Sequence, residues 1–316
     1  MMICIAVSGL DSSQVRRLQT ALAGHQLTLI ATLPESAKRA AIAEADVLFG
    51  NVPAGWLDGA PRLQWVQLDS AGVDAYLKVK PAAGRPAVQL TNLSGFFDKA
   101  VAEAAVAGIL AFYRQLPRLI AAQPQARWVK PEVEPAIRAL DGNRVLLLGA
   151  GTIARRIEHV LRAFDAQVRC YARRPRAGLL HTAEELEAAL GETDLLINTL
   201  PHTSDTAGFV NRARLEQLKP GAVVVNVGRG STLDETALVA LLDRGHLGGA
   251  VLDVTAVEPL PPESPLWRHP KVILTQHTGG RFPGEVDRKL DVFLENMRRL
   301  ERGEPLQHLV APERGY

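Results

Sequence analysis

Cysteine is scarce in this sequence: Cys4 and Cys170 are the only two in 316 residues. They stand far apart in apolar, strand-like stretches and have no metal-ligand spacing. No disulfide framework and no metal site is implied, and the pattern suits buried free thiols in a reducing compartment. Charge of one sign is lacking as well, since 36 Lys and Arg stand against 34 Asp and Glu. With no global field to recruit nucleic acid or an anionic membrane, the expected partner is a small molecule. No apolar run approaches the ~18 residues of a membrane helix, and the N-terminal MMICIAVSGL has no basic segment ahead of its short apolar stretch. These absences lead us to expect a cytoplasmic protein. There is also no repeat at solenoid periods and no low-complexity tract.

What is present is length, apolar content and alternation. A chain of 316 residues, 47% hydrophobic, is too long for one compact core and suits two domains. Over the first ninety or so residues, short apolar runs (ICIAVSG, LTLIAT, DVLFGN, LQWVQLDS, AVQLTNL) alternate with amphipathic ones (SSQVRRLQTALAG, ESAKRAAIAEA). Runs of the first kind suit strands buried on both faces, and those of the second carry helical spacing, which predicts a parallel sheet wrapped by helices. An Ala-rich stretch predicts one long helix over 98–119. A Pro- and charge-rich connector follows, and then a second alternation: NRVLLLG, AQVRCYA, DLLINTL, AVVVNVG, GAVLDV and KVILTQH with helical runs between them. A last helix is expected at about 283–302. The fold class is therefore α/β with two doubly wound parallel-sheet domains, the first flavodoxin-like and the second of Rossmann type.

NRVLLLG runs into Gly149-Ala150-Gly151-Thr152-Ile153-Ala154 and then into a helical run, the context that a dinucleotide fingerprint requires. Gly149 allows the tight turn, Gly151 lets backbone approach a pyrophosphate, and the helix start at Thr152 and Ile153 presents N–H groups to it. Ala154 stands at the third position, an accepted variant. Where an NAD-binding unit places an acid for the ribose 2′-OH, this chain reads Tyr171-Ala172-Arg173-Arg174-Pro175-Arg176. A carboxylate there would repel a 2′-phosphate, whereas guanidinium groups can clamp one, so Arg173 and Arg174 favour NADP over NAD.

Three segments of the second alternation carry charged or titratable groups just past strand-like runs, where open α/β sheets bind ligands: VVVNVGRGSTLDETAL with Arg229, AVLDVTAVEPLPPESPLW with Glu258, and VILTQHTGG with His277. With LPHTSDTAGFVN, LQWVQLDSAGVDAY and VQLTNLSGFFDKAVAEAAVAGIL, and in this order around the glycine loop, these strings resemble the D-2-hydroxyacid dehydrogenase family over nearly the whole chain. The terminal ERGY is similar to its glyoxylate/hydroxypyruvate reductase branch. The chain departs from the family pattern at Gln276, where a Pro commonly precedes the His, and at Gly279-Gly280, where Ala-Gly or Ser-Gly is more usual.

The resemblance implies a reductase of a small 2-keto acid, of the glyoxylate or hydroxypyruvate type, that yields the D-2-hydroxy acid. It matches Arg229, Glu258 and His277 to the catalytic Arg, Glu and His. An imidazole titrating near neutrality serves as general acid in reduction, a carboxylate on its other nitrogen orients it and favours its charged form, and a permanent cation binds the substrate carboxylate and polarises the carbonyl. Pro201, Thr203 and Asp253 match positions near the nicotinamide end of the cofactor, and Val227 is expected among the cofactor-binding residues. The small residues Ala71, Gly72 and Val73 at a strand end leave backbone N–H groups for a substrate carboxylate. The expected organisation is a discontinuous substrate domain, 1–96 plus 283–316, with the cofactor domain 97–282 inserted, hinge helices at the crossings and a cleft whose closure excludes water. A homodimer paired through the cofactor domain is implied too. The alternatives are a reductase of a bulkier 2-keto acid and a cofactor-sensing binding protein on the same fold.

Overall fold

In chain order, the computed structural model, which describes residues 1–311, runs β1 (Met2–Ile5), α1 (Ser12–Ala21), β2 (Gln26–Leu29), α2 (Glu35–Glu44), β3 (Val47–Phe49), β4 (Trp65–Gln67) and β5 (Gln89–Thr91). Then come α3 (Asp98–Tyr113), α4 (Leu116–Ala122), α5 (Lys130–Val133), β6 (Arg144–Leu148), α6 (Thr152–Arg162), β7 (Gln167–Tyr171), α7 (Ala183–Leu190) and β8 (Leu195–Asn198). The chain continues through α8 (Arg212–Gln217), β9 (Val223–Asn226), α9 (Glu235–Asp243), β10 (Gly249–Leu252), β11 (Val272–Leu274) and α10 (Glu285–Glu301). Two compact units result: Met1–Phe96 with the chain from Phe282 onward, and Phe97–Arg281. The ERGY string at 313–316 lies outside the described residues.

The first unit holds a five-stranded sheet of order β2-β1-β3-β4-β5, and every pairing in it is parallel. This is the flavodoxin-like order. The inner strands β1, β3 and β4 are buried on both faces. On one side Phe293 of α10 stacks on Phe49 at 4.4 Å and on Trp65 at 5.5 Å. A buried polar chain ties the same layers together: the Trp65 indole donates to Thr91, Thr91 donates to Gln67, and Asn296 donates to Gln67 and to the Gln307 carbonyl. The C-terminal segment then runs antiparallel beside β5 through the Thr91–Leu309 bridge.

The second unit holds six parallel strands in the order β11-β10-β9-β8-β6-β7. The strand that a full Rossmann sheet adds beyond β7 is reduced here to one parallel bridge between Tyr171 and Leu180. Chain order reverses between β6 and its neighbour β8, so the carboxyl end of β6 is the topological switch point, where such sheets bind ligands. α6 packs Ala154, Ile157 and Leu161 into the core. The single helix expected over 98–119 is instead two, because Arg114 ends α3 and Gln115 takes a left-handed conformation, φ 57, before α4. Gln115 also donates from its side chain to the Phe112 carbonyl, which satisfies one of the groups the break exposes. Both cysteines are buried free thiols, and burial pushes Cys4 up to about 11 and Cys170 up to about 12. Among the described residues no helix is long and apolar enough to cross a membrane.

Candidate active site

The carboxyl ends of the second unit's strands gather most of the residues singled out above. Gly149 follows β6 with φ 107, a region that L side chains rarely adopt, and a Cβ there would lie 2.5 Å from Thr199 Oγ1. Only glycine makes this turn without displacing its neighbour. Gly151 caps α6 in an extended conformation and brings no side-chain hydrogen bond to the first-turn N–H groups; a Cβ on it would meet nothing within 4 Å. The first turn, Thr152 to Ala154, thus starts beside open space without a side-chain cap, the arrangement that receives an anion. Ile153 turns its side chain toward the core.

Arg173 and Arg174 lie in the loop after β7, both exposed. Arg173 pairs with Asp205 at 2.7 Å. Because β7 and β8 flank β6, this ion pair joins the loops on either side of the glycine turn. Thr203 and Thr206 share a 3.0 Å hydroxyl contact, and Thr206 donates to the Pro201 carbonyl, so the 201–206 loop is braced internally. Val227 is buried and offers only its backbone.

His277 and Glu258 meet directly, with Nδ1 2.7 Å from the Glu258 Oε2. The other carboxylate oxygen accepts from the Thr255 N–H at 3.0 Å, which fixes the orientation of the acid before it orients the ring. The pair borders a cavity of about 380 Å³ whose other walls include Leu260, Trp267 and Leu274, a volume within the range of small-molecule sites.

The loop bearing His277 is held from below by Asp253. Its Oδ1 accepts from the Thr275 hydroxyl at 2.6 Å and from the N–H groups of Thr278 and Gly279, both at 3.1 Å. Gln276 and His277 both have left-handed backbones, φ 52 and 55. Proline, locked near −65°, cannot occupy the first of these, which gives the departure at Gln276 a backbone reason. The departure at Gly279 has a steric one, since a Cβ there would lie 2.8 Å from Asp253 Oδ2.

Arg229 sits in a half-buried turn after β9. Its carbonyl accepts from the Asn226 amide and the Thr232 hydroxyl, and the Asn198 amide backs Thr232 in turn. His202 contacts Ser231 of the same turn through Nδ1 at 2.8 Å. Ala71, Gly72 and Val73 belong to the first unit, after β4, where Val73 is buried in the core and Ala71 and Gly72 form an open turn whose carbonyls accept from Asn92 and Ser70. Among the described residues no three His, Cys, Asp or Glu side chains gather into a group that could hold a metal ion.

Comparison with known proteins adds to this geometry. Residues 106–279 match the family described as D-isomer specific 2-hydroxyacid dehydrogenase, NAD binding domain. The chain belongs to that family. A second likeness runs beyond the matched segment: a glyoxylate/hydroxypyruvate reductase A of Salmonella paratyphi C (strain RKS4594) is 37% identical over 266 residues, 81% of this chain and 82% of that one. Among solved structures, a D-isomer specific 2-hydroxyacid dehydrogenase family protein from Aeromonas salmonicida superposes with a TM-score of 0.83 at 33% identity, covering 98% of this chain and 99% of the other. An NADPH-dependent glyoxylate/hydroxypyruvate reductase from Sinorhizobium meliloti, solved in complex with NADP and sulfate, gives 0.80 at 26% identity over 100% and 99% of the two chains. This 2-hydroxyacid dehydrogenase is accordingly an oxidoreductase on an α/β fold, as its sequence led us to expect.

Sequence reasoning passed over Glu235, whose carboxylate accepts from the Ala256 N–H at 2.6 Å. Burial raises its affinity for a proton, the Ala256 N–H opposes this, and the negative charge of Glu258 adds to it. Its position in the first turn of α9 was the one available signal, and acids are common there for reasons of helix dipole alone.

Proposed function

We propose that this dehydrogenase reduces a small 2-keto acid of the glyoxylate or hydroxypyruvate type to its D-2-hydroxy acid with NADPH. The observation that carries the reading is the 2.7 Å contact between His277 and Glu258 beside the cavity. An imidazole held through Nδ1 by a carboxylate keeps Nε2–H available for donation. The turn of Gly149 and the uncapped first turn of α6 suit a pyrophosphate, and exposed Arg173 and Arg174 suit a 2′-phosphate; the Sinorhizobium relative was solved with NADP bound. When bound, NADPH supplies the hydride.

The protein's own residues do the remainder. Reduction leaves negative charge on the former carbonyl oxygen, and His277 neutralises it by giving up the proton on Nε2. Glu258 fixes the plane of the ring and compensates its positive charge. Arg229 takes the substrate carboxylate and polarises the carbonyl, a role for which its glycine-flanked turn is well braced. Ala71, Gly72 and the backbone of Val73 are proposed carboxylate receivers on the strength of their open turn, and Pro201, Thr203 and Val227 are proposed cofactor neighbours.

We also infer a homodimer. Leu116, Leu119, Ile120, Trp128 and Ile137 of the second unit are all exposed, Trp128 to 87%. An apolar surface of this kind within one short stretch suits a second copy. Two buried thiols suit a reducing compartment such as the cytoplasm.

The test is loss of NADPH absorbance on mixing with glyoxylate, hydroxypyruvate, pyruvate or phenylpyruvate, run with the wild type and with His277→Gln. Turnover of the small acids that drops about 10²- to 10⁴-fold in the variant supports the reading. No turnover of any of the four, or a fully active variant, overturns it.

A further inference from the structure

Glu235 connects two of the loops on which the proposed chemistry depends. It opens α9, directly after the turn of Arg229, and its carboxylate accepts from the N–H of Ala256, two residues ahead of Glu258. The segment 255–258 has few other anchors of its own. Thr255 N–H donates to Glu258, and the Thr255 hydroxyl donates to the Val257 carbonyl. Both bonds close the segment on itself, and neither ties it to the rest of the unit. A second link to the Arg229 turn is steric, because a Cβ on Gly230 would fall 1.9 Å from the Thr255 carbonyl carbon and oxygen. The two backbones therefore touch, and Glu235 is the hydrogen bond that locks them.

A solvated first-turn carboxylate could face water and still complement the helix dipole. This one is half-buried against a backbone amide, close enough to Glu258 to feel its charge. Two neighbouring carboxylates repel each other, so the arrangement works against Glu235 electrostatically and is kept by what the hydrogen bond holds in place. The turn of Arg229 does not need it, since Asn226, Thr232 and Asn198 brace that turn separately.

We propose that Glu235 is a positioning residue of the reductase: by holding the Ala256 N–H it sets the loop that aims Glu258 at the His277 imidazole. It touches neither substrate nor cofactor, and it acts through Glu258. Since the aim of the imidazole matters for proton transfer while Arg229 carries substrate binding, loss of the bond shows in kcat and leaves KM alone. This inference rests on the keto-acid reductase reading.

The experiment compares Glu235→Ala with Glu235→Gln, which lacks the charge and keeps an oxygen that can accept from Ala256. Glu235→Ala is expected to lose roughly 10- to 100-fold in kcat with KM for glyoxylate or hydroxypyruvate within about twofold of wild type. The Ala256 amide is expected to exchange its hydrogen faster in that variant. Glu235→Gln is expected to restore slow exchange and return kcat to within about threefold of wild type. A wild-type kcat in Glu235→Ala, a rise in KM matching the fall in kcat, or no rescue by Gln overturns the assignment. Should Glu235→Ala fail to fold, Glu235→Asp, which withdraws the carboxylate by one methylene, is read in its place, and an unchanged kcat there overturns it equally. A fully active His277→Gln sinks the reductase reading itself, whereas a wild-type kcat in Glu235→Ala beside a crippled His277→Gln sinks only the positioning role.

Discussion

Replacing Asp253 with Ala removes the acceptor that holds the His277 loop in its left-handed conformation. Gln276 and His277, at φ 52 and 55, each cost about 1–2 kcal/mol relative to an ordinary backbone, about 2–4 kcal/mol together. Against this the buried carboxylate of Asp253 accepts three hydrogen bonds, from Thr275, Thr278 and Gly279. Bonds to a charged group contribute about 1.5–3 kcal/mol each. Water can replace part of that in the variant, so a shift of about 3 kcal/mol toward relaxed loop conformers is a conservative figure, and it lowers the competent population about 10²-fold. The assay is single-turnover reduction of glyoxylate or hydroxypyruvate at saturating NADPH, with NADPH affinity measured separately by fluorescence titration. Reduction should slow by about two orders of magnitude, with Tm falling by several degrees. A variant that turns over at the wild-type rate would show that the loop keeps its shape without the aspartate. A variant that reduces at the wild-type rate once NADPH is saturating, yet binds NADPH more weakly in the titration, would return Asp253 to the cofactor role that the family resemblance implied.

Four further outcomes are expected. Arg229→Ala should raise KM for the keto acid and lower kcat together, since one cation serves binding and polarisation; steady-state kinetics with either defect alone would contradict that double role. The double variant Arg173→Ala/Arg174→Ala should lose the preference for NADPH over NADH, while Asp205→Asn, which releases Arg173 from an exposed ion pair worth up to about 1 kcal/mol, should tighten NADPH about two- to fivefold and leave NADH unaffected. Binding titrations with both cofactors check this, and an unchanged ratio in the double variant would remove the 2′-phosphate role. Gln276→Pro forces φ from the positive to the negative region and should cost kcat at least tenfold; full activity would mean that the loop has a second, equally competent path.

The strands were legible because parallel strands buried on both faces read as short continuous apolar runs, and VLLL, LLIN and VVVN are unambiguous in that sense. The break at Gln115 was not, since the Ala-rich run carries strong helix propensity through it and Pro117 is tolerated in a first turn. Only the left-handed backbone at Gln115 and its side-chain bond to Phe112 reveal the stop. The Glu258–His277 pair was legible through the resemblance of its flanking strings, because nothing in a single sequence says that residues 19 apart share a hydrogen bond. Asp253 and Glu235 show the limit from the other side. Asp253 was matched to the cofactor by resemblance and Glu235 was passed over, yet each spends its carboxylate on backbone 21 to 26 residues further along the chain, information carried by strand order and not by spacing.

The first unit is built from chain on both sides of the inserted one. Synthesis from the N-terminus therefore releases β1 to β5 early, with Phe49 and Trp65 still waiting for Phe293 and the Gln67–Thr91 pair waiting for Asn296. The inserted unit has all of its strands before α10 leaves the ribosome. The half that is born first is finished last, and for that interval its apolar sheet face is exposed to chaperones and to aggregation.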